Sequence, residues 1–159
     1  MMALEGTQTL TARAKCDLIE GCTVQVAPQL KARARLSHVK VVKTSDLPKE
    51  PVSSPLFTGT QVFRQLIIDP AESESFNFSI VNFSAGSRNK FHQHTSDQIL
   101  IVTDGTGVVA TDHEERTVSA GDVVLIPAGE NHWHGAPGST PMSHITVQVK
   151  GGTTQQNEV

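Results

Sequence analysis

From residue 60 to residue 150 the chain is a succession of short apolar runs, each closed off by glycine or proline, with no sustained helical periodicity. The runs are Thr60–Ile68, Phe76–Phe83, Ile99–Thr103, Gly107–Thr111, Thr117–Ser119, Val123–Ile126, His132–His134 and Met142–Lys150. Between them stand turn segments such as Ser84-Ala85-Gly86-Ser87, Asp104-Gly105-Thr106, Ala120-Gly121-Asp122 and Pro127-Ala128-Gly129-Glu130. Glycine reaches positive φ and proline holds φ near −65°, so each gap reads as a turn. Short strands separated by such turns predict an all-β fold, a single antiparallel sandwich or barrel. Upstream, Val39–Val42 reads as one more strand, and Ser45–Pro55, rich in Pro and Ser, as a loop.

A length of 159 residues suits one domain. The expected organisation is an N-terminal extension over 1–37 whose order the sequence leaves open, a barrel over 38–150 and a flexible polar tail over 151–159. Within the extension, Thr23–Val26 fits a short strand and Leu30–Leu36 a helical turn, neither with convincing caps. The net charge is only −3, and it is uneven. Residues 1–50 hold eight Lys/Arg against five Asp/Glu, whereas residues 51–159 hold five against eleven. An acidic barrel and one short basic stretch, Leu30–Leu36, argue against a nucleic-acid partner. No apolar run approaches the roughly 18 residues of a membrane span. The opening residues carry no apolar signal core, and Glu5, Asp17 and Glu20 interrupt the basic pattern of a transit peptide, so a cytoplasmic protein is expected. Cys16 and Cys22 have no histidine near them and read as free thiols rather than a zinc motif. Tyrosine is absent, which closes any mechanism that needs a phenol.

Chemistry concentrates at His92-Gln93-His94. Side chains two apart on a strand share a face, so both imidazoles point the same way. Four residues after His94 comes Gln98, and Thr95-Ser96-Asp97 can turn the chain so that Gln98 opens the next strand beside them. The wider spacing is more specific. Gly86, five residues, His92-x-His94, three residues, Gln98, six residues and Gly105 resemble the first sequence motif of the cupin superfamily. Gly121, five residues, Pro127-Ala128-Gly129 and then Glu130-Asn131-His132 resemble the second. Two departures stand out: Gln98 occupies a place commonly held by Glu, and Gly135 or Ala136 one commonly held by Asn.

The resemblance, which covers Val39 to Val149, implies a jelly-roll barrel holding one divalent transition metal on His92, His94, Gln98 and His132. Inward faces of a small barrel bring distant strands together, which agrees. Neutral imidazoles suit Mn, Fe, Ni, Zn or Cu; Mn or Fe is the first expectation, with Zn or Ni behind. Three His and one Gln carry no charge, so a bound ion keeps its full +2 and favours an anionic or alkoxide oxygen.

Two further histidines belong to the reading. His134 follows His132 by two residues, and His144 lies on the last run, where Met142, His144, Thr146 and Gln148 share a face. His144 is the candidate general base and His134 its helper. His113, in Asp112-His113-Glu114-Glu115, reads as solvated, and His38 lies outside the pattern. The stretch Gly121–Gln148 and Phe57-Thr58-Gly59 are similar to small cupins that include manganese-dependent hydroxynitrile lyases and the cupin partners of carboxymuconolactone-decarboxylase-like proteins. That similarity implies a lyase or isomerase acting on a small oxygenated molecule. Its alternatives are a dioxygenase on an enolic or phenolic substrate and a non-catalytic small-ligand binder. A homodimer is also expected.

Overall fold

The computed structural model describes residues 39–159. Cys16, Cys22, Thr23–Val26, Leu30–Leu36 and His38 lie outside the described residues. A 3-10 turn, Thr44–Asp46, precedes twelve strands: β1 Glu50–Pro51, β2 Phe57–Thr58, β3 Val62–Ile68, β4 Phe76–Phe83, β5 Ser87–Asn89, β6 His92–His94, β7 Gln98–Thr111, β8 Glu115–Ser119, β9 Val123–Ile126, β10 His132–Ala136, β11 Met142–Val149 and β12 Thr154–Gln156. Every pairing is antiparallel. The all-β jelly-roll expectation holds.

The two layers share β7. Its first half, Gln98–Ile101, lies between β11 and β9, in a layer that continues through β4, β3 and β1. Its second half, Thr106–Thr111, lies between β8 and β10, in a layer that continues to β5 and β2. The sequence pattern splits this strand at Asp104-Gly105-Thr106, but the structure keeps it continuous and bends it there. Thr103 is the extra residue of a bulge opposite Ser143 and His144, and its hydroxyl donates to the Ser143 carbonyl at 3.2 Å. The bulge switches the parity of the strand: Gln98, Leu100 and Val102 are buried before it, and Gly107 and Val109 after it. Gly105 sits at φ +72°, where a Cβ would run into the Pro141 carbonyl, so no other residue fits the corner without strain.

The apolar core comprises Val62, Phe83, Leu100, Val102, Val109, Val118, Ile126, Ala136 and Met142. On the outer side of the first layer a polar ladder is satisfied in place. Ser143 Oγ donates to Asn82 Oδ1 (2.9 Å), Asn82 Nδ2 to Gln65 Oε1 (3.1 Å) and Gln65 Nε2 to the Leu47 carbonyl (2.9 Å). The segment around the 3-10 turn covers this ladder, which is why Gln65 and Asn82 are buried on the outer face.

Two expectations are corrected. Val39–Val42 forms no strand; Val39 and Val41 are 88% and 90% exposed and pair with nothing among the described residues. The tail does not fray over its whole length: β12 pairs with β6, and the Arg88 guanidinium grips Glu158 with two nitrogens at 2.8 and 3.0 Å. The Phe91 backbone N–H donates to the same carboxylate at 2.9 Å. Polar composition alone predicts solvation, but β6 offers an open edge and β12 fills it.

Candidate metal centre and its pocket

The strand β6 turns His92 and His94 inward, to 1% and 7% exposure, and leaves Gln93 between them facing out. Directly across the ladder His92 meets His132 of β10; cross-strand neighbours stand close enough to touch, and the two rings lie 4.2 Å apart. His94 is 4.8 Å from His92 and 5.3 Å from His132, between ring centres. Gln98 opens β7, buried, with its Oε1 3.2 Å from His132 Nε2. Thus the structure brings His92, His94, Gln98 and His132 together.

Hydrogen bonds settle which edge of each ring is free. His92 Nδ1 donates to the Lys90 carbonyl at 2.7 Å, and His132 Nδ1 to the Glu130 carbonyl at 2.9 Å. A carbonyl only accepts, so in both rings the proton sits on Nδ1 and Nε2 keeps a bare lone pair. His94 Nδ1 meets the Thr154 hydroxyl of β12 at 3.0 Å, and its Nε2 is buried without a partner. Gln98 Nε2 donates to Thr146 Oγ1 at 3.1 Å, which turns Oε1 toward His132. Gln98 Oε1 and His132 Nε2 then face each other across 3.2 Å. Three bare imidazole nitrogens with one amide oxygen suit a divalent transition metal. The anchoring of Nδ1 by outer groups is the arrangement that orients metal-binding histidines.

Burial removes charge from all of these rings. It lowers His92 to about 3, helped by the neighbouring His132, and His94 to about 4. Burial likewise lowers His132. At neutral pH the rings are lone-pair donors rather than cations.

The two candidate catalytic histidines line the deeper side. His134, on β10, is 4.9 Å from His144 on β11, ring to ring. Phe83 holds both, 5.7 Å from His134 edge-on and 5.8 Å from His144 in a stack. Met142 and His144, two apart on β11, both point inward. Neither ring nitrogen of His144 has a hydrogen-bond partner among the described residues, and burial lowers its pKa to about 4. Ring nitrogens of His92, His132 and His134 also lie within 4.8 Å of one another. That second triad is the weaker ligand set, because His134 Nε2 is already engaged by Asn89 at 3.0 Å. A narrow cleft lined by Asn77, His94, Gln148 and Thr154 reaches His94. His113 is exposed, as its charged surroundings predict.

Sequence reasoning missed Asn89 and Thr154, which anchor His134 and His94. No spacing rule reveals either, since each reaches its partner across a strand pairing. Trp133 faces the other way, under the Arg88 guanidinium at 4.9 Å.

Comparison with known proteins agrees with this geometry. Residues 79–148 match the Cupin domain family. An (R)-mandelonitrile lyase of Granulicella tundricola is 38% identical over 95 residues, covering 59% of this chain and 72% of that one. A gentisate 1,2-dioxygenase of Ralstonia sp is 35% identical over 57 residues, which are 35% of this chain and 16% of that enzyme. Among solved structures, a cupin-like protein of Thermotoga maritima superposes with a TM-score of 0.65 at 30% identity, over 71% of this chain and 88% of that one. Fold, motifs and relatives converge: the chain belongs to the cupin family.

Proposed function

We propose that the protein is a metal-dependent lyase acting on a small oxygenated organic molecule, with His92, His94, Gln98 and His132 holding the metal and His144 moving the proton. The observation that carries this reading is His144: a fully buried imidazole, unpartnered at both nitrogens among the described residues, packed against Phe83 and against His134, whose strand β10 also carries the ligand candidate His132. A buried polar ring normally finds a partner, so such an orphan points to a ligand. The similarity to a mandelonitrile lyase supports the same reaction class.

His92, His94, Gln98 and His132 would hold a divalent ion, Mn or Fe first, which would supply positive charge for a substrate oxygen. Neutral His144 accepts a hydroxyl proton from the substrate. As the carbonyl forms, the neighbouring carbon–carbon bond breaks and its electron pair leaves with the departing group. Protonated His144 then returns the proton to that group. Phe83, stacked on His144, keeps the ring in place and excludes water from its face. Mandelonitrile is the first substrate to assay.

The test is direct. Protein purified without a chelating tag is expected to contain about one transition metal per chain, and His144→Ala to retain that metal while losing turnover by 10²–10⁴-fold, as for removal of a general base. Turnover unchanged in His144→Ala refutes the role. The short match to a gentisate dioxygenase favours a second reading: oxygen uptake with enolic or phenolic substrates, and none with cyanohydrins, selects it. A metal-loaded protein that binds but converts no such compound selects a ligand-binding role.

A further inference from the structure

His134 is held by one side chain at two points. The backbone N–H of His134 donates to Asn89 Oδ1 at 2.6 Å. A backbone N–H can only donate, so the atom it meets must be the amide oxygen. The other amide atom, 3.0 Å from His134 Nε2, is then the nitrogen, and it donates. Nε2 therefore accepts and carries no proton. In a neutral ring the proton is on Nδ1, and that atom is buried with no partner among the described residues. Both residues are 3% exposed, so water does not substitute for either bond.

We propose that Asn89 is a positioning residue that locks His134 as the Nδ1–H tautomer, making His134 a hydrogen-bond donor to the pocket's ligand. Such a ring neither ligates a metal through Nδ1 nor accepts a proton there. A ligand atom beside it must accept: a carbonyl, alkoxide or carboxylate oxygen, or a nitrile nitrogen. His144, 4.9 Å away, has no equivalent lock and can change tautomer as it takes and returns a proton. The two adjacent imidazoles thus divide the work, one as fixed donor and one as shuttle. This division rests on the proposed lyase reading, whereas the tautomer itself rests only on the two Asn89 bonds.

The test is two-bond 15N–1H correlation NMR on the full chain labelled with 15N-histidine, metal-free at neutral pH, with the His134 signals identified by their loss in His134→Gln. The expected pattern for His134 is the Nδ1–H tautomer. In Asn89→Asp the carboxylate still accepts the backbone N–H, but its second oxygen can only accept, so the ring is expected to switch to Nε2–H. A wild-type ring in the Nε2–H form overturns the proposal, and does so even if Asn89→Asp fails to fold. An Nδ1–H ring retained in folded Asn89→Asp also overturns it. Neither measurement involves turnover, so failure here leaves the lyase reading to its own assay.

Discussion

Acid should unfold the metal-free protein steeply, and a single histidine should account for a measurable part of the slope. Burial lowers His94 and His144 to about 4 and His92 to about 3. An unfolded histidine titrates near 6.5, so at pH 5 the unfolded ring is almost fully protonated while a folded ring of pKa 4 is roughly one-tenth protonated. The unfolded state binds more protons, so stability rises with pH. It is fully present above about pH 6.5 and is lost as pH falls toward the folded values. Between pH 7.5 and 5 each such ring withdraws about 2 kcal/mol, near 1 kcal/mol per pH unit at the acid end. Three of them together approach about 6 kcal/mol, comparable to the whole stability of a typical domain. The assay is urea unfolding of chelator-treated protein at pH 7.5 and 5.0, for the wild type and for His144→Gln, which lies outside the proposed ligand set. Carboxylates and the metal-site histidines titrate alike in both proteins, and His134, which His144 helps to keep uncharged, is relieved in the variant, which adds to the difference in the same direction. The wild type is expected to lose about 2 kcal/mol more than the variant over that interval. Equal losses in the two proteins would refute the argument that His144 is buried neutral.

Other consequences follow from the same geometry. Thr154→Val removes the group that meets His94 Nδ1 and is expected to weaken zinc binding, followed by calorimetry, by about 10–100-fold, the range for outer partners of metal ligands. An unchanged affinity would show that β12 merely covers β6. Gly105→Ala should lower the unfolding free energy, measured in urea, by at least the about 1–2 kcal/mol that a left-handed backbone costs a residue with a Cβ, with the overlap on the Pro141 carbonyl adding to it. A variant as stable as the wild type would mean that the corner between the two halves of β7 relaxes freely.

Much of the fold was legible before any coordinates, for definite reasons. Period-two patterns and glycine-rich gaps report local backbone geometry, and the limits of Phe76–Phe83 and Val123–Ile126 agree with the strands observed. The shared face of Met142, His144 and Thr146 follows from alternation alone, and so does that of His92 and His94; the structure turns Met142, His144, His92 and His94 inward. Where the reading departed from the structure, the cause was non-local. Asp104-Gly105-Thr106 has turn composition, yet β11 and β8 pair along both sides of it and carry β7 through as a bent strand. Gly151–Val159 has tail composition, yet the edge of β6 and the Arg88 guanidinium hold it.

What the chain by itself determined was the kind of fold, the candidate side chains that share a face and the motif spacings that carry the family resemblance. Those are properties of neighbours a few residues apart, and covalent geometry transmits them. The free edge of His92 and of His132 is also set locally, by carbonyls two residues back. Only tertiary structure decided how His134, His94 and Gln98 are held, through partners brought in by strand pairing: Asn89 across β5 and β10, Thr154 across β6 and β12, and Thr146 across β7 and β11. A hydrogen bond formed over 45 or 60 residues of intervening sequence has no local signature, and it is such bonds that separate the donors of this pocket from its acceptors.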